Sequence, residues 1–353
     1  MSLADETTPI RSGQEFEVAR LLDYLAPHIP SLQGAASVTQ FRGGQSNPTF
    51  LIQSDDRVWV MRKKPPGVLL PSAHQVEREY QVMKALAGTD VPVPRMNVLC
   101  EDASVIGTPF YVMEGVEGRV IRDLTLPGLS PGQRRAVYDV QAETLARLHT
   151  VDWRAVGLEG FGKPTGYVSR QVARWTRQYE VTRTHEIASM DKVMPWLARN
   201  IPEGDEAAIA HGDFRLENMI LHPTEPKVLA VLDWELATIG HPLPDLAYNC
   251  LPYRVDPDFP GIGGLRDLDY VATGIPSEAD YVATYCAAAG RKGIDHWHYY
   301  LAFSLFRTAA ILQGVYSRAL QGTASNANAL EVGKLATQAA DMAWEQARLD
   351  GRN

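Results

Sequence analysis

The sequence predicts an α+β protein, with a small antiparallel sheet that carries one main helix, followed by a larger and mostly helical region. Three observations support this. β-like runs around turn residues mark residues 1–115, whereas apolar residues at helical spacing dominate residues 116–353. At 353 residues the chain also exceeds the size at which one core usually stops growing. We therefore predict two domains that meet at a connector near residue 115.

The N-terminal region contains four patterned segments. Glu17 to Leu25 has apolar residues at helical spacing, and His74 to Leu86 repeats this pattern with one buried face. Residues 38–64 (VTQFRGGQSNPTFLIQSDDRVWVMRKK) hold two β-like runs around turn residues, which predicts a hairpin. Residues 110–118 (FYVMEGVEG) are typical of a strand that continues into a glycine-containing connector.

The C-terminal region is predicted to be helical around one loop-and-hairpin segment. Ser130 and Pro131 supply an N-cap and a first-turn proline for a long helix that runs through His149. The remaining predicted helices cover residues 166–186, 278–289, 296–320 and 330–349.

Charge and cysteine content exclude several functional classes. With 34 basic and 42 acidic residues the chain has a formal charge of −8, which argues against nucleic acid or an anionic membrane as the main partner. The sequence lacks an 18-residue apolar run, and its N-terminus is polar, so we expect neither secretion nor a membrane span. Cys100, Cys250 and Cys286 are odd in number and far apart, which disfavours disulfides and zinc. We expect a cytoplasmic protein.

Residues 211–218 (HGDFRLEN) and 232–235 (LDWE) form the motif that carries chemistry. Phosphoryl transfer from a nucleotide needs an acid–base residue, magnesium and charge stabilisation. Asp213 stands where kinases place the carboxylate that accepts the hydroxyl proton, and Asn218 and Asp233 stand where they place magnesium ligands. The strands between Asn218 and Asp233 predict a hairpin whose two ends lie side by side. A polar loop that satisfies its own backbone explains each residue singly, but it does not explain the whole set.

These two blocks, with HPLPDLAY at residues 241–248, resemble the aminoglycoside phosphotransferase family, which shares its kinase-like fold with choline and homoserine kinases. The resemblance covers residues 35–320. It implies a bilobal, protein kinase-like fold and a Mg-ATP-dependent transfer of the γ-phosphoryl group to an acceptor hydroxyl, with ATP and Mg²⁺ as cofactors. It also implies that His211 and Asp245 order the loop around Asp213.

The family resemblance extends to a nucleotide-covering loop at residues 42–52 (RGGQSNPTFLI). Gly43 and Gly44 would let the backbone approach the phosphates, and Ser46 and Asn47 would donate hydrogen bonds to them. The sequence between these glycines and Asn47 is also typical of an ordinary hairpin turn.

Residues 58–64 (VWVMRKK) resemble the strand whose cation pairs with the nucleotide phosphates. Two registers fit, Val60 with Arg62 or Met61 with Lys63, because residues i and i+2 share a strand face. We favour Val60 under the adenine and Arg62 on the phosphates. Glu79 is the expected helix partner of the cation, with Glu77 as the alternative.

Residues 112–118 (VMEGVEG) resemble the hinge, where the backbone of Val112, Met113 and Glu114 would bind the adenine. Whether GTP competes with ATP stays open.

The sequence leaves the acceptor open. The residues Arg170, Arg174 and Arg177 share one helical face, and Val172, Trp175 and Tyr179 share another. The first face is either a solvated basic surface or a wall that receives an anionic substrate.

Residues 61–82 (MRKKPPGVLLPSAHQVEREYQV) are most similar to the branch related to kinase-like domains attached to some acyl-CoA dehydrogenases. That branch implies a hydroxyacyl-CoA thioester as acceptor, and we expect any acyl-CoA dehydrogenase partner to be a separate protein. A sugar, an amino alcohol or an aminoglycoside remains an alternative acceptor. A nucleotide-binding pseudokinase that acts as a regulatory module is the alternative of a different class.

Overall fold

We analysed a computed structural model of the chain, which describes residues 3–32, 35–43, 47–55, 57–65, 74–324 and 328–352. Its contacts divide the chain into two compact units. Unit 1 comprises residues 1–122, 154–158 and 216–237, and unit 2 comprises residues 123–153, 159–215 and 238–353. The chain thus contributes three segments to each unit. The boundary between two lobes at residues 115 and 116 stays a prediction.

Unit 1 is built on a six-stranded antiparallel sheet with the order β1-β2-β3-β4-β6-β5. Its strands are β1 (Thr7–Thr8), β2 (Ala36–Phe41), β3 (Thr49–Ser54), β4 (Arg57–Lys63), β5 (Met96–Cys100) and β6 (Phe110–Glu114). The predicted hairpin is confirmed as β3 and β4, and its turn begins after Ser54. The predicted segment nevertheless holds three strands rather than two, because β2 ends at Phe41 and β3 begins only at Thr49, and strands β1 and β5 were missed.

Two helices flank this sheet in unit 1. Helix α1 (Val18–Leu25) inserts Leu21 and Leu25 into a core formed with one face of the sheet, which includes Phe50 and Met61. Helix α2 (Val76–Leu86) buries Val76, Met83 and Leu86, as its apolar spacing predicted, whereas Tyr80 of the same predicted face is half-buried and Val82 is buried in addition. Unlike these apolar residues, Glu79 is a charged residue that α2 buries completely.

Unit 1 also contains a second hairpin, formed by β8 (Met219–Leu221) and β9 (Val228–Val231). Short 3₁₀ turns precede and follow it at Leu216–Asn218 and Trp234–Leu236. This hairpin confirms the one predicted between Asn218 and Asp233.

Unit 2 is mainly helical. Its long helix α3 (Pro131–Thr150) begins with a capping box, in which the Ser130 side chain accepts from Gln133 N–H and the Gln133 side chain accepts from Ser130 N–H, so the predicted start is confirmed. The other helices in unit 2 are α4 (Tyr167–Thr182), α5 (Ala188–Arg199), α6 (Pro242–Asn249), α7 (Tyr270–Thr273), α8 (Glu278–Ala288), α9 (Trp297–Leu320), α10 (Ala329–Lys334) and α11 (Ala336–Leu349). Two strands, β7 (Ala208–Ala210) and β10 (Thr238–Gly240), pair antiparallel.

One predicted helix was wrong in extent, and three observed helices, α5, α6 and α7, were not predicted. The helix predicted over residues 330–349 is divided at Leu335 into α10 and α11, and Gly333 lies where a Cβ would come within 2.5 Å of the Tyr316 side chain. Helix α5 was not predicted, because it contains Pro195. In the described part of the chain, no helix combines the length and the apolar character that a bilayer span requires.

Candidate active site

Strand β4 presents its two candidate cations on opposite faces of the sheet. Met61 packs in the core with α1, and Lys63 lies on the same face, with its Nζ 5.8 Å from the ring centre of Phe16 and 5.7 Å from that of Phe50. Burial lowers the pKa of Lys63. Arg62 points to the other face, as the two-residue period of a strand requires.

The guanidinium group of Arg62 contacts three carboxylates of unit 1. Its Nη2 lies 2.9 Å from Asp233 Oδ1 and 3.7 Å from Glu235 Oε2, and its Nη1 lies 3.4 Å from Glu79 Oε2. Burial acts to lower the pKa of Arg62, but the charge of Glu79 and then that of Asp233 outweigh it, so the pKa is raised. Arg62 is therefore a permanent cation that joins α2 to the end of the second hairpin.

Glu79 is the partner of Arg62 on α2, and its carboxylate is fully buried. Its Oε1 accepts a hydrogen bond of 2.8 Å from Asn47 Nδ2, and its Oε2 accepts one of 3.0 Å from the Tyr111 hydroxyl. Burial raises the pKa of Glu79 to about 7, although the charge of Arg62 opposes this shift. The alternative candidate, Glu77, instead pairs with Lys64.

Asn47 has a structural partner on each side of its amide. It is fully buried, its Nδ2 donates to Glu79, and its Oδ1 lies 3.0 Å from His74 Nδ1. These two contacts join the residues before α2 to the Glu79–Arg62 pair. The Nδ2 atom carries a second hydrogen, so donation from this side chain to a phosphate stays a prediction, and the two observed contacts give Asn47 a positioning role.

The other residues of the predicted nucleotide-covering loop are less informative. A Cβ on Gly43 would meet no described atom within 4 Å outside its chain neighbours, so the space beside it is open within the described part of unit 1. Gly44 and Ser46 lie outside the described residues. The phosphate-binding roles of all three stay predictions.

The second hairpin brings Asn218 and Asp233 to one end. Met219 pairs with Val231, and the Leu232 N–H donates to the Asn218 carbonyl at 2.8 Å, so the ladder continues to the motif residues. Asp233 follows with φ of 64°, in the left-handed region that is uncommon for residues with a side chain. Such strain persists only where the surrounding structure imposes it, and here the Arg62 contact fixes the Asp233 side chain.

The connector before unit 2 packs closely on this hairpin. Arg119 and Leu221 exchange two backbone hydrogen bonds, of 2.7 and 2.8 Å. A Cβ on Gly118 would lie 2.3 Å from the Leu221 carbonyl oxygen, so only glycine permits this approach.

The predicted hinge continues β6 into this connector. Met113 pairs with Val60 across the sheet, so both predicted adenine contacts lie in adjacent strands. The Glu114 N–H donates to Arg95 O at 2.8 Å, and the Gly115 N–H donates to Val58 O at 3.0 Å. Because these two N–H groups are engaged within unit 1, the hinge prediction at Glu114 rests on its carbonyl group.

In unit 2, the loop that carries Asp213 is held by one buried carboxylate. The N–H groups of His211 and Gly212 donate to Asp245 at 2.6 and 2.9 Å, and His149 Nε2 lies 3.3 Å from Asp245 Oδ2. Burial acts to raise the pKa of Asp245, but the hydrogen bonds from His149 and the His211 backbone reverse this, so its pKa is lowered. The His211 ring is fully buried, and its Nδ1 accepts from the Asp213 N–H at 3.3 Å.

Asp213 projects from this loop with its side chain 20% exposed. The Tyr248 hydroxyl donates to its carboxylate, and Arg215 Nε lies 3.6 Å from its Oδ2. Burial and the charge of Asp213 raise the pKa of Tyr248, so Tyr248 stays protonated and keeps donating. The loop therefore presents a partly exposed carboxylate with a tyrosine and an arginine beside it, and a positioned carboxylate is what a general base requires.

The basic residues of α4 have different environments. Arg170 donates to the backbone carbonyls of Lys163 and Thr165, which precede the helix. Arg174 places its guanidinium carbon 5.6 Å from the ring centre of Trp175, and Arg177 is exposed. On the other face, Val172 and Tyr179 are buried.

The structure thus assigns the predicted residues to two groups. Unit 1 brings together Arg62, Glu79 and Asp233, and the same hairpin end carries Asn218. Asp213 belongs to unit 2. Sequence reasoning missed the roles of Tyr111, Tyr248 and His149. No motif marks Tyr111 or His149, and Tyr248 ends the HPLPDLAY block without a predicted role, because its place beside Asp213 depends on tertiary packing.

The comparisons with known proteins concern the family and the fold. The model of the phosphotransferase enzyme family APH matches residues 37–299. A crystal structure of a Ralstonia eutropha protein, described as a candidate aminoglycoside phosphotransferase, is 48% identical and covers 95% of this chain and 99% of its own, with a TM-score of 0.88. A structure of the aminoglycoside phosphotransferase APH(4)-Ia, solved with AMP-PNP and hygromycin B, shares the fold at 16% identity, 92% and 98% coverage and a TM-score of 0.60.

Curated relatives are longer proteins. Acyl-CoA dehydrogenase family member 10 of Mus musculus is 47% identical over 346 residues, which is 98% of this chain and 32% of the relative. Acyl-CoA dehydrogenase family member 11 of Homo sapiens is 46% identical over 318 residues, which is 88% of this chain and 40% of the relative. The chain therefore spans less than half of these relatives. With the matched family model, the protein kinase-like fold and the motif residues in place, the chain belongs to the APH phosphotransferase family.

Proposed function

We propose that this protein is a Mg-ATP-dependent phosphotransferase that moves the γ-phosphoryl group of a nucleotide to the hydroxyl of a small molecule. The observation that carries the proposal is the contact of Arg62 with both Glu79 and Asp233. Kinases need a cation on the nucleotide phosphates, a helix carboxylate that positions this cation, and a carboxylate for magnesium. Unit 1 supplies side chains of all three kinds within one cluster.

The proposed nucleotide contacts follow from this cluster. Arg62 would bind the phosphates with two parallel donors, since a guanidinium group presents a planar fork. Val60, Met113 and the Glu114 carbonyl would contact the adenine, and Gly43, Gly44 and Ser46 would lie along the phosphates. The solved structure with AMP-PNP shows that a protein of this fold binds an adenine nucleotide. GDP complexes of aminoglycoside 2′-phosphotransferase-IIIa show that another binds a guanine nucleotide.

Asn218 and Asp233 are the proposed magnesium ligands. An amide oxygen and a carboxylate at one hairpin end suit Mg²⁺, which binds proteins through few carboxylates and takes its other ligands from water and phosphate. Within the described ranges no group of three or more His, Cys, Asp and Glu could hold a metal, so the fit depends on nucleotide oxygens. When bound, the ion would neutralise charge on the transferred phosphoryl group.

Asp213 is the proposed base. Asp245 fixes the loop through two backbone N–H groups, and Tyr248 orients the Asp213 carboxylate by donating to it. Asp213 would accept the proton of the acceptor hydroxyl while that oxygen attacks the γ-phosphorus, and the bond from this phosphorus to the β–γ bridging oxygen would break to release ADP. Arg215 Nε, 3.6 Å from its Oδ2, would help to hold this carboxylate in position.

A hydroxyacyl-CoA thioester is the acceptor we propose. The curated relatives carry the name acyl-CoA dehydrogenase, and they match this chain over less than half of their own length. This supports a phosphotransferase that acts on the same class of thioester. The three cysteines are unpaired, which supports a reducing, cytoplasmic location.

The test is magnesium-dependent ATP consumption by the purified chain with hydroxyacyl-CoA thioesters, amino alcohols, sugars and aminoglycosides. We expect one thioester to stimulate turnover, and we expect Asp213→Ala to lower kcat by about 10² to 10⁴, the usual contribution of a general base. Tyr316→Phe is a matched control for a polar change in unit 2 away from the loop. Nucleotide binding without turnover on any acceptor would support a pseudokinase instead.

A further inference from the structure

A second arginine, Arg307 on α9, lies beside the Asp213 loop. Its Nη2 donates to the Gly212 carbonyl at 3.0 Å. Its guanidinium carbon lies 5.1 Å from the ring centre of Tyr248, the residue that donates to Asp213, and 5.6 Å from that of Trp175. Two aromatic rings and one carbonyl therefore fix this cation next to the proposed base.

A second cation, Arg174, lies near the same Trp175 ring as Arg307. Arg174 also has its guanidinium carbon 5.6 Å from the ring centre of Trp175. Burial and the charge of Asp245 raise the pKa of the Tyr167 hydroxyl, and the charges of Arg307, Arg174 and Arg170 oppose this, so these three cations all lie near one half-buried tyrosine. Helix α4 and helix α9 thus bring positive charge to the same place in unit 2.

This charge is not neutralised by ion pairs within the described part of the chain. Among the described residues, no carboxylate lies within 4 Å of the Arg307 or Arg174 guanidinium nitrogens. The Nε of Arg307 is buried and has no acceptor among those residues. A buried N–H without an acceptor costs about 1 to 3 kcal/mol, so this donor calls for an acceptor from water or from a ligand.

We propose that Arg307 and Arg174, held on Trp175, form a subsite that binds an oxyanion of the acceptor, either a carboxylate or a phosphate. The inference rests on the proposed function and names the substrate class of that site: molecules that carry both a hydroxyl and an anionic group. Arginine suits this role because its planar donors match carboxylate and phosphate oxygens in pairs. The aromatic rings hold the guanidinium groups in place before the substrate arrives.

Arg174 provides the sharper test, because it is exposed and makes no described hydrogen bond to the Asp213 loop. We expect Arg174→Gln to weaken binding of an anionic acceptor about tenfold, which corresponds to about 1.4 kcal/mol. Arg307→Lys keeps the charge but removes the planar fork, and we expect a loss of about tenfold to a hundredfold. The matched control is Arg177→Gln, on the same helix and outside the cluster, with a change below about twofold.

Binding is measured by calorimetry without nucleotide, so the result does not depend on phosphoryl transfer. The probes are a hydroxycarboxylic acid, a phosphorylated alcohol, a hydroxyacyl-CoA thioester and a matched uncharged alcohol. Loss of carboxylate binding alone, or of phosphate binding alone, in Arg174→Gln identifies which oxyanion the subsite takes. The subsite would be overturned if Arg177→Gln weakened binding of the anionic probes as much as Arg174→Gln does. It would also be overturned if Arg174→Gln weakened binding of the uncharged alcohol as much as that of the anionic probes. If the anionic probes bind but no acceptor is phosphorylated, the proposed kinase activity is wrong and the oxyanion subsite stands.

Discussion

Unit 1 and unit 2 stabilise their motif carboxylates in different ways. In unit 1, Asp233 and Glu79 are held by the side chain of Arg62, so one cation balances several anions. In unit 2, Asp245 is held by backbone N–H groups and by His149. Backbone donors lie in a rigid loop, whereas a side chain of several rotatable bonds can change partners. The unit 1 cluster is therefore the one able to exchange an internal ion pair for a ligand.

The pKa values of the two buried carboxylates show the same difference. The pKa of Glu79 is raised to about 7, because burial outweighs the pairing with Arg62. The pKa of Asp245 is lowered, because hydrogen bonds outweigh burial. The lesson is that burial alone does not set the protonation of a carboxylate, since the number and kind of donors decide the sign.

The largest expected effect separates the roles of the two units. Asp233→Ala should weaken magnesium-dependent nucleotide binding by about a hundredfold, or about 2.7 kcal/mol, because it removes a proposed metal ligand. Asp213→Ala should leave nucleotide affinity within about twofold and reduce only turnover. Calorimetric titration of a nonhydrolysable ATP analogue with and without magnesium measures both. Unchanged nucleotide affinity in Asp233→Ala would show that the metal role is wrong.

The next largest effect is on nucleotide affinity, and it compares Arg62 with its neighbour Lys63 on β4. Arg62→Met should raise the dissociation constant for the nucleotide about tenfold to a hundredfold, since it removes a charged hydrogen-bond donor. Lys63→Met is the matched control, because Lys63 lies on the opposite face against Phe16 and Phe50. We expect a change below about twofold there. The reverse order of effects would favour the register of Met61 with Lys63.

The smallest expected effect is on how the free energy of unfolding depends on pH. The folded-state pKa of Glu79 is raised from 4.5 to about 7, so its contribution to stability is present below pH 4.5 and is lost as the pH rises through 7. Glu79→Gln should remove this dependence. The difference in unfolding free energy between wild type and variant should fall as the pH rises from 5 to 7, by at most about 1.4 kcal/mol per pH unit. Urea unfolding across this range measures it.

Asp245→Asn is the control with the opposite sign. Because the folded-state pKa of Asp245 is lowered, its contribution to stability is present above the unfolded value near 3.8 and is lost as the pH falls through the folded value. The difference between wild type and Asp245→Asn should therefore stay constant from pH 5 to 7. The contrast between the two units would be contradicted if the difference in unfolding free energy changed with pH for Asp245→Asn. It would also be contradicted if that difference did not change with pH for Glu79→Gln.

The elements that follow from local pattern were predictable. The hairpin of β3 and β4, the start of α3 at Ser130 and the hairpin of β8 and β9 all depend on turn residues, caps and alternation within a few positions. The divided helix at Leu335 and the short strand β1 were not predictable, because they depend on packing and on partners far along the chain. The same limit applies to Asn47, whose partners His74 and Glu79 lie about thirty positions away.

The sequence by itself determined the family, the order of the motifs and the hairpin that carries Asn218 and Asp233, because these depend on residue type and spacing. The tertiary structure decided which side chains meet. It placed Arg62 rather than Lys63 against Glu79, engaged Asn47 within unit 1, and set Arg307 beside the Asp213 loop from a helix about ninety positions away. The reason is physical: strand and helix periods fix the face of a residue, whereas only the packing of distant segments fixes its partner.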